Sequence, residues 1–355
     1  MDYEIKTYSN DKPKHKRYVM GIDIGGTNTN IGIAGVTDIK PELIFSINYK
    51  SDKLNSLIPV IVESLEYAKK NYNIETDRAC IGAPGIVSPS NDSAKLTNLK
   101  WDINSRDILK KTDLNSIYII NDFQALGFGI NFLDSNKNNF LDIRKIKEEN
   151  KTKKLNKALI GAGTGFGKCL LIYDENYDSY KPIASEGGHG DLPIKDENEF
   201  ELIKYIKKAR KIKETINYED VLSGRGIENI YNFLRQRNDY RDTIYTKEID
   251  NKTDKTPFIS KYKAQDETCK ETFDLFTKFY ARCAKNFVLD AHANGGLYIA
   301  GGIAAKNKEI FSSKIFIDEF ENSNSRNDFL REIPIKVILN YELSLYGACY
   351  AALYK

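Results

Sequence analysis

The chain has 355 residues, 41% hydrophobic and 29% charged, enough for two average domains or one large one with a full core. Its 53 Lys and Arg nearly cancel its 50 Asp and Glu, leaving a net charge of +3, which argues against a chain built to coat nucleic acid or an anionic membrane. A cytosolic, reduced protein is expected: no window approaches about 18 consecutive apolar residues, the N-terminus lacks the apolar middle of a secretory signal, and the five cysteines (Cys80, Cys169, Cys269, Cys283, Cys349) form no C-x-x-C pair.

Residues 1–16 are polar and aperiodic and read as a loose tail. Arg17–Asp23 reads as a strand, Gly25–Asn28 as a turn and Thr29–Val36 as a second strand. A helix follows near Asn55–Tyr72, with Leu57, Ile58, Ile61, Val62 and Leu65 on one face and Pro59 in its first turn. Cys80–Val87, ending in Pro84-Gly85, and Ile117–Ile120 read as short buried strands, and Asp122–Leu133 as a helix. The lysine-rich stretch Asp142–Lys157 is expected as a solvated loop. Ala158–Ile160, Gly161–Gly167 and Lys168–Tyr173 then repeat strand, glycine turn and strand, which suggests a duplicated unit. Amphipathic helices near Glu199–Glu214 and Gly226–Arg237 precede a charged surface insertion at Asn238–Lys255 and a short helix opened by Thr256 and Pro257. A long helix near Asp266–Ala293 ends at Gly295-Gly296. The strand Leu297–Ala300 leads into a helix at Ala304–Ser313, and Ile333–Leu339 forms a further strand. An apolar helix at Leu343–Tyr354 closes an α/β alternation.

Chemistry concentrates at the glycine turns. In Asp23-Ile24-Gly25-Gly26-Thr27-Asn28, successive backbone N–H groups could converge on a phosphate, although a plain β-hairpin would also use these residues. The turn lacks G-K-[ST] and is followed by a strand, so it is neither a Walker A loop nor a Rossmann fingerprint. Asp23, a carboxylate at the strand end, could hold Mg²⁺ through water. Gly163, Thr164 and Gly165 lie in a richer glycine run that suggests a second backbone cradle, and Gly301-Gly302 opens a helix where a nucleoside could lie against backbone. Asn121-Asp122 either caps a helix or, at the carboxyl end of a strand, supplies a general base with an amide beside it. In Glu186-Gly187-Gly188-His189-Gly190-Asp191 the loop is not expected to give the i, i+3 geometry of metal ligands. Hydrogen bonding to a polyhydroxylated ligand fits better, and no Cys or His follows at zinc spacing.

Seven segments then carry a resemblance: GIDIGGTN at Gly21–Asn28, LTNLKW at Leu96–Trp101, IINDFQA at Ile119–Ala125, GAGTGFG at Gly161–Gly167, EGGHGD at Glu186–Asp191, EDVLSGRG at Glu219–Gly226 and IAGGI at Ile299–Ile303. In this order the chain resembles the bacterial glucokinases. The resemblance implies an actin-like, hexokinase-type α/β fold made of two ribonuclease-H-like lobes around a central cleft. A small lobe at 17–133 would be joined by a closing helix at 341–355, with a large lobe at 134–340. It implies ATP-dependent phosphorylation of a sugar 6-hydroxyl, with Asn98, Asn121, Asp122, Glu186, His189 and Glu219 at the sugar and Asp122 as base. Gly25, Gly26, Thr27, Asn28, Gly163, Thr164, Gly165, Gly301 and Gly302 would meet the nucleotide. It also implies a cytoplasmic homodimer that uses Mg²⁺ and feeds glycolysis. The absence of cysteine between Cys169 and Cys269 points to the zinc-free glucokinase group. Gly82–Gly85 and Thr29-Asn30 depart from the better-known pattern, so glucose is expected as substrate with mannose, fructose or an N-acetylated amino sugar as alternatives. The remaining rival is a non-enzymatic sugar-sensing protein on the same fold.

Overall fold

The computed structural model describes residues 3–9, 15–37, 40–97, 99–135, 139–145, 147, 153–237, 241–340 and 342–354. The chain divides into two compact units. One comprises Met1–Lys137, Tyr173–Ala184 and Asn340–Lys355, the other Asn138–Ile172 and Ser185–Leu339.

The first unit is built on a six-stranded sheet. Its strands are β1 (Tyr3–Thr7), β2 (Arg17–Ile24), β3 (Asn28–Val36), β4 (Pro41–Lys50), β5 (Arg78–Ala83) and, after the small sheet β6 (Gly85–Val87), β7 (Ser93–Leu96) and β8 (Ile103–Asn104), β9 (Ser116–Asn121). Their order is β1-β4-β3-β2-β5-β9, with β2, β5 and β9 parallel to one another and the other pairs antiparallel. Helices α1 (Ile58–Tyr72), α2 (Ser105–Leu109) and α3 (Asp122–Gly129) belong to this unit, as does the last helix, described below. Two apolar clusters fill it, one around Ile22, Ile31, Phe45, Ile61 and Ile81, the other around Val19, Cys80, Ile120 and Ala125.

The second unit repeats the plan. Its strands are β10 (Phe140–Arg144), β11 (Lys157–Ala162), β12 (Phe166–Asp174), β14 (Leu297–Ala300) and β15 (Ile335–Ile338), in the order β10-β15-β14-β11-β12, while β13 (Ser179–Ser185) falls, but for Ser185, in the Tyr173–Ala184 segment of the first unit. β11 pairs antiparallel with β12 across the glycine turn and parallel with β14, and β14 runs parallel with β15. The sequence β3, β2, β5, β9 in one sheet is thus matched by β12, β11, β14, β15 in the other, which is the duplicated α/β fold that the two glycine hairpins suggest. Helices α4 (Glu197–Arg210), α5 (Gly224–Arg237), α6 (Ile244–Asp250), α7 (Thr256–Tyr262), α8 (Glu267–Asp290), α9 (Gly302–Lys306), α10 (Lys314–Glu321) and α11 (Asn327–Glu332) complete this unit. Within it, the buried Arg282 of α8 clamps Glu199 of α4 through two bonds of 2.7 and 2.8 Å, a bidentate pair that fixes both helices.

The final helix, α12 (Leu343–Ala351), returns to the first unit and packs on α3, β2 and β5. Gly347 makes this crossing possible, because a Cβ there would clash with the Ala125 carbonyl of α3. Among the described residues no helix is long and apolar enough to cross a membrane.

Several expectations are corrected. Tyr3–Thr7 is not loose tail but an exposed strand on the edge of β4, a pairing its own five residues could not specify. The strand read over Cys80–Val87 with its end at Pro84-Gly85 does stop there, β5 closing at Ala83 since proline offers no ladder N–H, but Gly85–Val87 goes on as β6 in the small sheet. The Asp122–Leu133 helix tightens to 3₁₀ geometry from Ile130. The expected loop at Asp142–Lys157 overlaps β10 and β11 at its ends, and α6 lies within the charged insertion.

Candidate active site

In the first unit, the parallel strands bring their carboxyl ends to one edge. Register pairs Asp23 with Gly82 and Ala83 with Asn121, so Asp23, the Gly25–Thr27 turn and the Asn121-Asp122 junction share that edge. The turn is held from behind: Gly25 N donates to the Asn28 carbonyl at 2.8 Å, and Ser51 donates through Oγ to the Gly25 carbonyl at 2.8 Å and through N to the Thr27 carbonyl at 2.9 Å. Lys50 Nζ donates to Asn28 Oδ1 at 2.9 Å. Gly26 faces open space. Asp23 is largely enclosed, and burial lifts its carboxyl to about 6 against a hydrogen bond from Asn30 that pulls the other way.

The helix-cap reading of Asn121-Asp122 resolves onto one residue. Asn121 Oδ1 accepts from Phe123 N at 2.8 Å, and Gln124 Oε1 accepts from Asn121 N at 3.2 Å, closing a capping box. Asp122 is therefore the first helical residue, half-buried, with Oδ1 accepting from Phe123 N at 2.9 Å. Asn98 lies outside the described residues.

The second unit gathers the remaining groups. Gly161 pairs with Ala300, which sets the Gly163–Gly165 turn and Gly301-Gly302 at the same strand ends. Gly301 takes φ +94° and lies so close to the Ala162 carbonyl that any side chain would clash, whereas Gly163 and Gly302 face open space. The Glu219 carboxylate is seated on this hairpin. Its Oε2 accepts from Phe166 N at 3.0 Å, and its Oε1 accepts from Arg225 Nη2 at 3.2 Å. A carboxylate offers about four lone-pair directions, so these two bonds leave acceptor capacity for hydroxyl groups. Glu186 and His189 sit on a single 3₁₀ turn, Gly187–His189, that lies against the start of β12 through Gly188 and the Phe166 carbonyl. Here the structure overturns the expectation that this loop lacks i, i+3 geometry. The 3₁₀ turn eclipses positions i and i+3 and brings His189 Nε2 to 3.9 Å from Glu186 Oε2. Both side chains remain exposed, at 57% and 72%.

Each unit therefore carries a glycine turn, one with an aspartate pair at its strand ends, the other with two glutamates and an imidazole. Among the described residues no group of three or more His, Cys, Asp or Glu could hold a metal ion. Ser51 and Arg225 were not singled out from sequence. A guanidinium inside the segment Glu219–Gly226 was the available signal for Arg225; Ser51 had none, because only the β3–β4 pairing brings it to the turn.

Comparison with known proteins bears on these elements together. The glucokinase family model matches residues 20–354. A glucokinase of Nostoc sp. is 34% identical over 345 residues, spanning 93% of this chain and 97% of that protein. A glucokinase of Synechocystis sp. is 30% identical over 351 residues, spanning 93% and 96%. Of solved structures, a glucokinase from an Antarctic psychrotroph superposes with a TM-score of 0.76 at 22% identity, over 95% of this chain and 99% of that one. The glucokinase of Balamuthia mandrillaris in complex with glucose gives 0.79 at 21% identity, over 95% and 94%. The structural likeness speaks for the fold, and the family match, running through every glycine turn and acidic residue described above, speaks for descent: the chain belongs to the glucokinase family.

Proposed function

We propose that this protein transfers the terminal phosphoryl group of ATP to the 6-hydroxyl of glucose. The observation that carries the reading is the seating of Glu219 on the second glycine hairpin, beside the turn that holds Glu186 and His189, in a chain of the glucokinase family. Carboxylates and an imidazole grouped next to a backbone cradle suit a neutral polyol held beside a polyphosphate.

Glu186, His189 and Glu219 hold sugar hydroxyls, with Asn98 and Asn121 as further contacts. Asp122, at a strand end with its backbone fixed by the Asn121 cap, takes the proton from the 6-hydroxyl as it attacks. Gly25–Asn28, Gly163–Gly165 and Gly301-Gly302 present backbone to the nucleotide. Phosphoryl transfer asks the protein chiefly for positioning and charge neutralisation, which these elements provide. Asp23 fits the Mg²⁺ that accompanies ATP: a single enclosed carboxylate whose charge is unfavourable alone suits an ion ligated mainly by phosphates and water. When bound, that ion would offset phosphate charge. A cytoplasmic homodimer feeding glycolysis is the wider reading, supported by the family resemblance.

The test is a coupled assay of the purified protein with glucose, mannose, fructose and N-acetylglucosamine, and with ATP, ADP or polyphosphate as donor. Glucose with ATP should give the highest kcat/KM. A higher value for another hexose would reassign the substrate, and no turnover with any of them would leave a sugar-sensing protein.

A further inference from the structure

The turns that carry Glu186 and Glu219 rest on a buried cation. Lys168, the third residue of β12, is only 6% exposed. Its ammonium lies 4.3 Å from the centroid of the Tyr218 ring and 5.5 Å from that of Phe287, beside the Cys283 thiol. Among the described residues no carboxylate stands within ion-pair distance of it. Its stem passes beneath Gly187, where a Cβ would come within 2.9 Å of Lys168 Cδ and 3.4 Å of Nζ. Tyr218 is anchored in turn: its N donates to the Gly190 carbonyl at 3.1 Å, and its hydroxyl accepts from Asn286 Nδ2 at 3.1 Å. One ammonium thus touches the residue after Glu186 and the residue before Glu219.

Burying an ammonium without a carboxylate is costly, and the face of an aromatic ring offsets only part of that cost. A methionine would fill the same slot without the desolvation. The charge therefore weakens the fold locally unless it acts on something nearby: Asp290 acts on the same Tyr218 and Cys283, and the two turns that Lys168 contacts carry Glu186, which is exposed, and Glu219, which Arg225 already pairs. We propose that Lys168 is a positioning residue for the sugar. Its stem and its cation–π contact with Tyr218 fix the spacing between the Glu186–His189 turn and Glu219, and its charge supplies positive potential beneath both acceptors. The inference rests on the reading of Glu186, His189 and Glu219 as sugar contacts, and it deepens that reading by adding a residue that meets no substrate.

The experiment compares Lys168→Met, Lys168→Gln and Lys168→Arg with the parent protein, using thermal melts, glucose calorimetry without nucleotide, and steady-state kinetics. Lys168→Met should melt at or above the parent temperature, weaken glucose by about tenfold or more, and leave the KM for ATP within about twofold. Lys168→Arg, which keeps the charge and the cation–π contact, should recover most of the glucose affinity. A purely packing role predicts instead that melting temperature and glucose affinity move together. Lys168→Met with unchanged glucose affinity overturns the inference. So does a set in which Met and Gln variants fail to fold and only Arg folds, since Lys168 would then be a structural cation. Glu219→Gln is run alongside. If it weakens glucose while Lys168→Met does not, the sugar-site reading stands and only the role of Lys168 falls; if it leaves glucose affinity unchanged, the sugar-site reading falls and takes the inference with it.

Discussion

Asp122→Asn separates catalysis from architecture because the structure assigns the helix cap to its neighbour. Asn121 makes the capping bond to Phe123 N and closes the box with Gln124, so neither contact is touched by the change. Asp122 accepts from Phe123 N through Oδ1, a bond that an asparagine oxygen can still accept. What the fold loses is one negative charge in the first turn of α3, worth about 0.3–1 kcal/mol. At about 2–4 °C per kcal/mol for long chains, the melting temperature should drop by no more than a few degrees. What the reaction loses is a proton acceptor, typically ~10²–10⁴-fold in rate, or about 3–5 kcal/mol of barrier. The catalytic effect should exceed the structural one severalfold. A coupled assay at saturating glucose and ATP reads kcat, calorimetry reads glucose binding, and a melt reads stability. A kcat within a few-fold of the parent would place the base elsewhere. A melting temperature lowered by ten degrees or so would refute the assignment of the cap to Asn121.

Gly163→Val should raise the KM for ATP with little change in that for glucose, because its Cβ enters open space at the cradle; equal KM values in variant and parent would exclude contact there. Gly165 is the poorer choice, since a Cβ at that position would sit 2.7 Å from Glu219 Oε2 and disturb both ligands. Glu186→Gln should weaken glucose about five- to thirtyfold without shifting the melt, its side chain being 72% exposed, and parallel losses for ATP and glucose would count against a sugar contact. For Asp23 the carboxyl is lifted from 3.8 to about 6 by burial, so the native state holds the proton more tightly than the unfolded chain, and stability falls as pH rises between those values, by at most about 3 kcal/mol. Asp23→Asn should accordingly melt higher than the parent at pH 7.5 and equally at pH 3.5 in the absence of nucleotide, while binding Mg-ATP less well; identical melts at pH 7.5 would refute the enclosed charge.

The elements that sequence pattern made legible are those whose signal is local. Apolar runs broken by Gly25-Gly26 and Gly163–Gly165 marked both hairpins, and their repetition carried through to matching strand orders. Pro59 and Pro257 marked helix starts where α1 and α7 begin. The misses have the opposite character. β1 exists only because β4 offers it an edge. The proximity of Glu186 to His189 comes from a 3₁₀ turn pressed against Phe166, a tertiary cause that no spacing rule contains. Lys168 meets Tyr218, about fifty residues further along the chain, a contact that no local pattern announces.

The return of α12 to the first unit sets the order in which that unit can be finished. Its residues follow every other described element in the chain, yet Cys349 backs Gly21 at the middle of β2, Leu345 covers Gly32 of β3, and Gly347 meets α3. During synthesis the apolar face formed by Val19, Ala34, Cys80, Ile120 and Ala125 must wait for residues 343–351 to leave the ribosome. A nascent chain halted near residue 340 would expose that face for as long as translation paused. A stop codon placed before residue 343 should therefore yield aggregates, not a shortened enzyme.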